Sequence, residues 1–139
     1  MSVLLIATGF IPYVLGGIMN RYMMSNPDTV PPFLLITIIT LLIWIGVAFF
    51  AQPYAKSIKH ILMYQNTIGL INLILLGIQE LILKHYWLNT LGSWTQFYYL
   101  PLLNIGFTLS PWSHTVFTAY CMAFLLMIMA SWIGCKLRR

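Results

Sequence analysis

Five side chains could do chemistry in what is otherwise a hydrocarbon sequence: Gln65, Asn72, Gln79, Glu80 and Lys84. All five lie in or just after the stretch 63–83, MYQNTIGLINLILLGIQELIL. Set on a helix at about 100° per residue with Gln65 at zero, Asn72 falls near −20°, Gln79 near −40°, Gly69 near +40° and Glu80 near +60°. Leu70, Ile71, Ile74, Leu75, Ile78 and Ile82 fall outside that arc. Lipid cannot satisfy an amide, so this polar seam predicts protein or a wet cavity beside it. Two chemistries fit. The amides can act as glue between helices, each bond giving about 0.6 to 2 kcal/mol. Alternatively, they can line a translocation path or a ligand pocket.

Glu80 differs in kind, because an ionisable group inside a membrane is costly. One expectation pairs it with Lys84 at i, i+4 near the outer surface, where a lysine can snorkel. The sharper expectation is a carboxylate that takes up a proton or cation in exchange for substrate. His85 and His114 could join Glu80 as a metal set, but no H-x₃-H or C-x-x-C spacing supports it. Met19, Met23 and Met24 share a helical edge that could suit Cu(I), with no Met-rich exposed loop to accompany it. No metal or cofactor is expected. No G-x-S-x-G, H-E-x-x-H or paired aspartates occur within the apolar stretches, so the chain reads as a non-enzyme.

The elements that must carry the seam are apolar throughout. The 139 residues are 60% hydrophobic and 6% charged, with a mean hydropathy of +0.87. A soluble domain has about 25% charged residues, so the composition predicts an all-α, multi-pass membrane protein with no soluble domain. Four spans are expected, at about 3–19, 33–51, 63–83 and 115–134, forming a single transmembrane domain. Pro12 is expected to kink the first, and its glycines to admit a close neighbour. In the second, Thr37 and Thr40 are expected to bond back to their own helix.

Residues 85–114 are the oddest part, with Trp87, Trp94 and Trp112 beside Tyr86, Phe97, Tyr98 and Tyr99. Such rings favour the headgroup level. Leu100 to Leu109 is apolar but too short to cross, and Pro101 opens it. This predicts an interfacial or re-entrant outer segment. Cys121 and Cys135 sit about 21 Å apart along one helix and cannot pair with each other.

The net charge of +5 is no nucleic-acid footprint, since the few cations sit at span ends. With four spans, Lys56, Lys59, Lys136, Arg138 and Arg139 face the cytoplasm, and Arg21 and Lys84 face outward. Five spans, with 91–109 crossing, give the same five against two. Four are preferred because a fifth would carry Phe97-Tyr98-Tyr99 and Pro101 near its middle.

Gly16-Gly17 followed by Asn20-Arg21-Tyr22 superficially resembles the start of the small bacterial fluoride channels. The Asn-containing second-helix motif and the Thr/Ser-rich third-helix break of that family do not appear, so nothing is carried over. Residues 27–31, PDTVP, resemble a loop of a family of bacterial membrane immunity proteins, over too short a stretch to transfer a function. The expected role is an accessory, immunity or regulatory subunit of the cell membrane, in a bacterial cytoplasmic membrane with the C-terminus inside. Its expected partners are the bilayer and, through the polar face of span three, another membrane protein or a second copy. The alternative is a small oligomeric transporter or channel lined by Glu80 and the amides.

Overall fold

Pro and Gly punctuate long apolar runs, and the result is helical: the computed structural model describes residues 1–138, and 80% of the chain is helix. No strand occurs among the described residues. In chain order the α-helices are α1 (Ser2–Thr8), α2 (Ile11–Ser25), α3 (Phe33–Ala51), α4 (Ile58–Gln65), α5 (Thr67–Gly77), α6 (Thr90–Leu109) and α7 (Val116–Leu137). A 3₁₀ turn, Gln52–Tyr54, follows α3, and a π-helical turn, Ile78–Ile82, follows α5. Three continuous stretches are long and apolar enough to cross a membrane: Ser2–Ser25, Phe33–Tyr54 and Val116–Leu137. Ile58–Gln65 and Thr67–Ile82 make a fourth if this pair, bent by 45°, is one span.

The first span breaks where expected in cause, though not in place. Pro12 has no N–H to give the carbonyl of Thr8, so α1 stops at Thr8 and α2 restarts at Ile11, with Pro12 in its first turn. It also runs past Met19, to Ser25. In α3, Thr37, Thr40, Trp44 and Ala48 recur every three to four residues and form the buried stripe. Thr40 Oγ1 donates to the carbonyl of Ile36, as expected. Thr37 does not bond within its helix, but donates across to the carbonyl of Pro101 in α6 (3.0 Å).

Contacts between helices fix which ends meet. Leu5, Ala48, Ile61 and Cys135 form one buried cluster, Ser2 Oγ is hydrogen-bonded to His60 Nε2 (3.0 Å), and Arg138 reaches the carbonyl of Phe49. The starts of α1 and α4 and the ends of α3 and α7 therefore share one end of the bundle, the near end. At the far end the ring of Phe117 lies against Gly77, and Trp87 N–H donates to Gln79 Oε1 (3.0 Å). The connections on both sides of α6 belong to this far end, so α6 enters and leaves the bundle there.

The segment 85–114 is thus more ordered than its composition predicts. Asn89 caps α6 by accepting from Gly92 N–H (2.8 Å), and the helix continues through Pro101 for 20 residues. Tyr98 and Tyr99 do not face outward: they are buried in the main core with Trp44, Leu76, Leu102 and Met127. The rings find protein instead of interface. Tyr99 donates to the carbonyl of Gly69, and Tyr13, Tyr98, Tyr99 and Tyr120 stack in sequence, edge-on or tilted. Trp94 and Trp112 keep the exterior position, being more than half exposed.

Candidate functional site in the bent third span

The candidate third span, α4 and α5 with the π turn that follows, is interrupted twice. At Asn66 the backbone leaves α-helical geometry (φ −96°, ψ 4°), and side chains replace lost main-chain bonds. Asn66 Nδ2 donates to the carbonyl of Leu62 (2.9 Å), and Thr67 Oγ1 to that of Met63 (2.7 Å). Short polar side chains that bond back in this way bend a helix.

Asn66 is also the side chain missed at the sequence level. It lies about 100° round the helix from Gln65, outside the polar arc, if the helix is taken as straight. The bend turns it inward, where it is 3% exposed. It accepts from Trp44 Nε1 (3.2 Å) in α3 and donates to Ser131 Oγ (3.1 Å) in α7, tying three helices together. The adjacent QNT tripeptide was the available signal.

The structure brings Gln65, Asn72 and Gln79 together in the sense expected: all three are buried, on the inner face of the span. Their partners come from this same chain. Gln65 Nε2 donates to the carbonyl of Trp44 (3.1 Å). Asn72 Nδ2 bonds the carbonyl of Ile68 (2.8 Å), and its Oδ1 accepts from the Tyr13 hydroxyl of α2 (2.5 Å). Gln79 donates to Thr95 Oγ1 in α6 (3.2 Å) and accepts from Trp87 N–H. Two buried atoms of this region have no hydrogen-bond partner among the described residues, Gln65 Oε1 and the Tyr98 hydroxyl. α2, α3, α6 and α7 already cover the polar face, because α6 packs into the bundle rather than along its surface.

Glu80 and Lys84 do not pair among the described residues. Both the geometry and the reach are lost in the π turn, whose i→i+5 bonds displace the i, i+4 alignment that would have placed them together. Leu83 N–H bonds the carbonyl of Ile78, Lys84 adopts a positive φ of 55°, and its side chain is exposed. Tyr86, six residues on, supplies the partner instead, its hydroxyl donating to Glu80 Oε2 (2.6 Å). Burial first, then the hydrogen bond to the carboxylate, raises the phenol's pKa well above its ordinary value, so Tyr86 keeps its proton and remains the donor. Glu80 itself is only half buried.

His85 and His114 are both exposed, and His85 Nδ1 is used by the carbonyl of Leu83 (2.8 Å). No group of three His, Cys, Asp or Glu with metal-binding placement occurs among the described residues. Chemically the region is a buried hydrogen-bond network, with Gln65 Oε1 and the Tyr98 hydroxyl left over and one carboxylate at its far-end edge. Compared with known proteins, the chain matches no family model, no curated protein and no solved structure.

Proposed function

We propose that this chain is a non-enzymatic, multi-pass membrane protein that acts by contact, as an accessory, immunity or regulatory subunit of another membrane protein. One observation carries the reading: the seam amides are bonded inside the fold, leaving a self-supporting bundle whose remaining surface is apolar. A partner then meets the outer face of span three, where Leu70, Ile71 and Ile74 are each about half exposed, and not its polar face. Photo-crosslinkers at Ile74 should trap that partner and at Asn72 should not. Trapping from Asn72 alone would overturn the reading.

In this proposal the membrane is a cell membrane of the bacterial cytoplasmic kind, crossed four times. The near end, with Lys56, Lys59, Lys136 and Arg138, lies in the cytoplasm. An even number of crossings is supported by the shared end of α1 and α7, and α6 re-enters from the outer side. With Cys121 and Cys135 first replaced by alanine, Ser57→Cys should be silent to an impermeant thiol reagent on intact cells, and Leu88→Cys, at 98% exposure, should react. Equal labelling of the two would rule the four-crossing arrangement out.

A second reading, a small transporter or channel coupled to protons or cations, is favoured by one feature. Glu80 sits in a π turn, a geometry frequent at functional sites, with a tyrosine rather than a cation as its partner. Glu80→Gln keeps the shape and the bond from Tyr86 but removes the charge. A contact role predicts unchanged partner binding and activity. Loss of ion-coupled uptake with the protein intact would transfer the assignment to the transporter.

A further inference from the structure

A groove of about 490 Å³ opens between α1 and α3 at the near end, lined by Leu4, Thr8, Ile43, Gly46, Val47 and Phe50, with Tyr54 at its near-end limit. From Ile43 to Phe50 it follows α3 for about 10 Å, some two thirds of the hydrocarbon depth of one leaflet, about 15 Å. Its lining is almost wholly apolar, with two hydroxyls, that of Tyr54 and that of Thr8, whose Oγ1 is already bonded to the carbonyl of Leu5 (2.7 Å). Gly46 forms part of the wall, and a Cβ there would meet nothing within 4 Å. The cleft is open along its length.

The end of the bundle on which the groove lies is cationic. Arg138 stacks over the ring of Phe49 (5.1 Å to the centroid), and Phe49 packs edge-on against Phe50 of the groove wall (5.4 Å). Lys56 follows Tyr54 by two residues and is exposed, as is Lys59 beyond it. Lys136 lies over Trp132 at the same end of α7. The sequence holds only two acidic side chains, Asp28 and Glu80. Both belong to the far end, one ahead of the start of α3 and the other beside Gln79. The near-end cations therefore face no acid of their own chain among the described residues. An apolar slot some two thirds of a leaflet deep, at an end whose cations meet no acidic side chain among the described residues, complements an amphiphile with an anionic head.

We propose that this groove is a binding site for one anionic phospholipid of the near-end leaflet, with an acyl chain between α1 and α3 and the phosphate among Arg138, Lys56 and Lys59. The site presupposes the membrane-spanning reading but not the accessory role. Cation–headgroup attraction near a membrane surface corresponds to about fivefold in affinity per basic side chain.

The full chain, purified in a mild detergent, is titrated with phosphatidylglycerol or phosphatidylcholine and followed by native mass spectrometry. One phosphatidylglycerol should be retained in preference to phosphatidylcholine. The double variant Lys56→Gln/Arg138→Gln should lose most of that preference, about 25-fold if the two act independently. Gly46→Phe fills the slot without touching a charge and should abolish retention while thermal unfolding is unchanged or raised. Equal retention of the two lipids by the unaltered chain overturns the site, as does undiminished phosphatidylglycerol retention by a folded Gly46→Phe. Extraction of the chain from membranes by alkaline washing would instead overturn the membrane reading itself.

Discussion

Gly16→Ala is expected to destabilise the bundle by about 3 kcal/mol, the upper end of the range for overpacking, because the gap it enters does not exist. A Cβ at Gly16 would fall inside the van der Waals envelope of the Phe97 carbonyl oxygen. That carbonyl is available to press on α2 because Pro101, four residues on, has no N–H to give it. The missing hydrogen bond in α6 and the missing side chain in α2 are two halves of one contact. Relief requires moving main chain, since no flexible side chain stands in the way. The neighbouring Gly17→Ala is the control. Nothing lies within 4 Å of its added carbon, and alanine favours a helix over glycine by about 0.5 to 1 kcal/mol, so this variant should be slightly more stable. Reversible unfolding in mixed micelles reads both. Equal responses from the two glycines would refute the close approach of α2 and α6.

Asn66→Leu should be the most damaging polar substitution in the seam, at about 2 to 3 kcal/mol. Leucine keeps the branching and heavy-atom count but leaves Trp44 Nε1 buried without an acceptor and the carbonyl of Leu62 without its donor. It also removes the bond to Ser131, although Ser131 retains its own bond to the carbonyl of Met127. Asn104→Leu, on the exposed side of α6, should lie within about 0.5 kcal/mol of the unaltered protein. If Asn66→Leu proves as mild as Asn104→Leu, the bend in span three is held by packing and not by its side-chain bonds.

Long uniform apolar runs were legible. The second span was expected at 33–51 and is Phe33–Ala51, because nothing inside it competes with helix and Pro31-Pro32 precedes it. The seam was legible as well, since Gln65, Asn72 and Gln79 recur every seven residues and a seven-residue repeat drifts only about 20° round a straight helix. What covers the seam was not. The aromatic run in α6 has the composition of an interfacial belt, and only its tertiary contacts show that Tyr98 and Tyr99 point into protein. The Asn66 bend and the π turn escaped for a related reason. Both rest on bonds between side chain and backbone, or on an extra residue per turn, and an apolar moment does not register either one. The Glu80–Lys84 expectation failed with the π turn, because it assumed regular spacing where the spacing changes.

The placement of α6 has a consequence for how the protein is made. α6 is as long as its neighbours, yet it is absent from the helices apolar enough to cross on their own. Carrying Gln96, Asn104 and an internal proline, it would leave the translocation machinery as an exported loop and not as a membrane-arrested helix. The seat it finally occupies, against Ala119 on one side and Gly16 on the other, is incomplete until α7 has been synthesised. In the membrane arrangement proposed above, biogenesis would be ordered in time: the crossing helices enter the bilayer first, and α6 sinks back among them last, carrying Thr95 to Gln79 and Tyr99 to Gly69. A ribosome-stalled chain ending before Thr115 should accordingly leave residues 90–109 open to protease from the outer side, and release of the complete chain should close them.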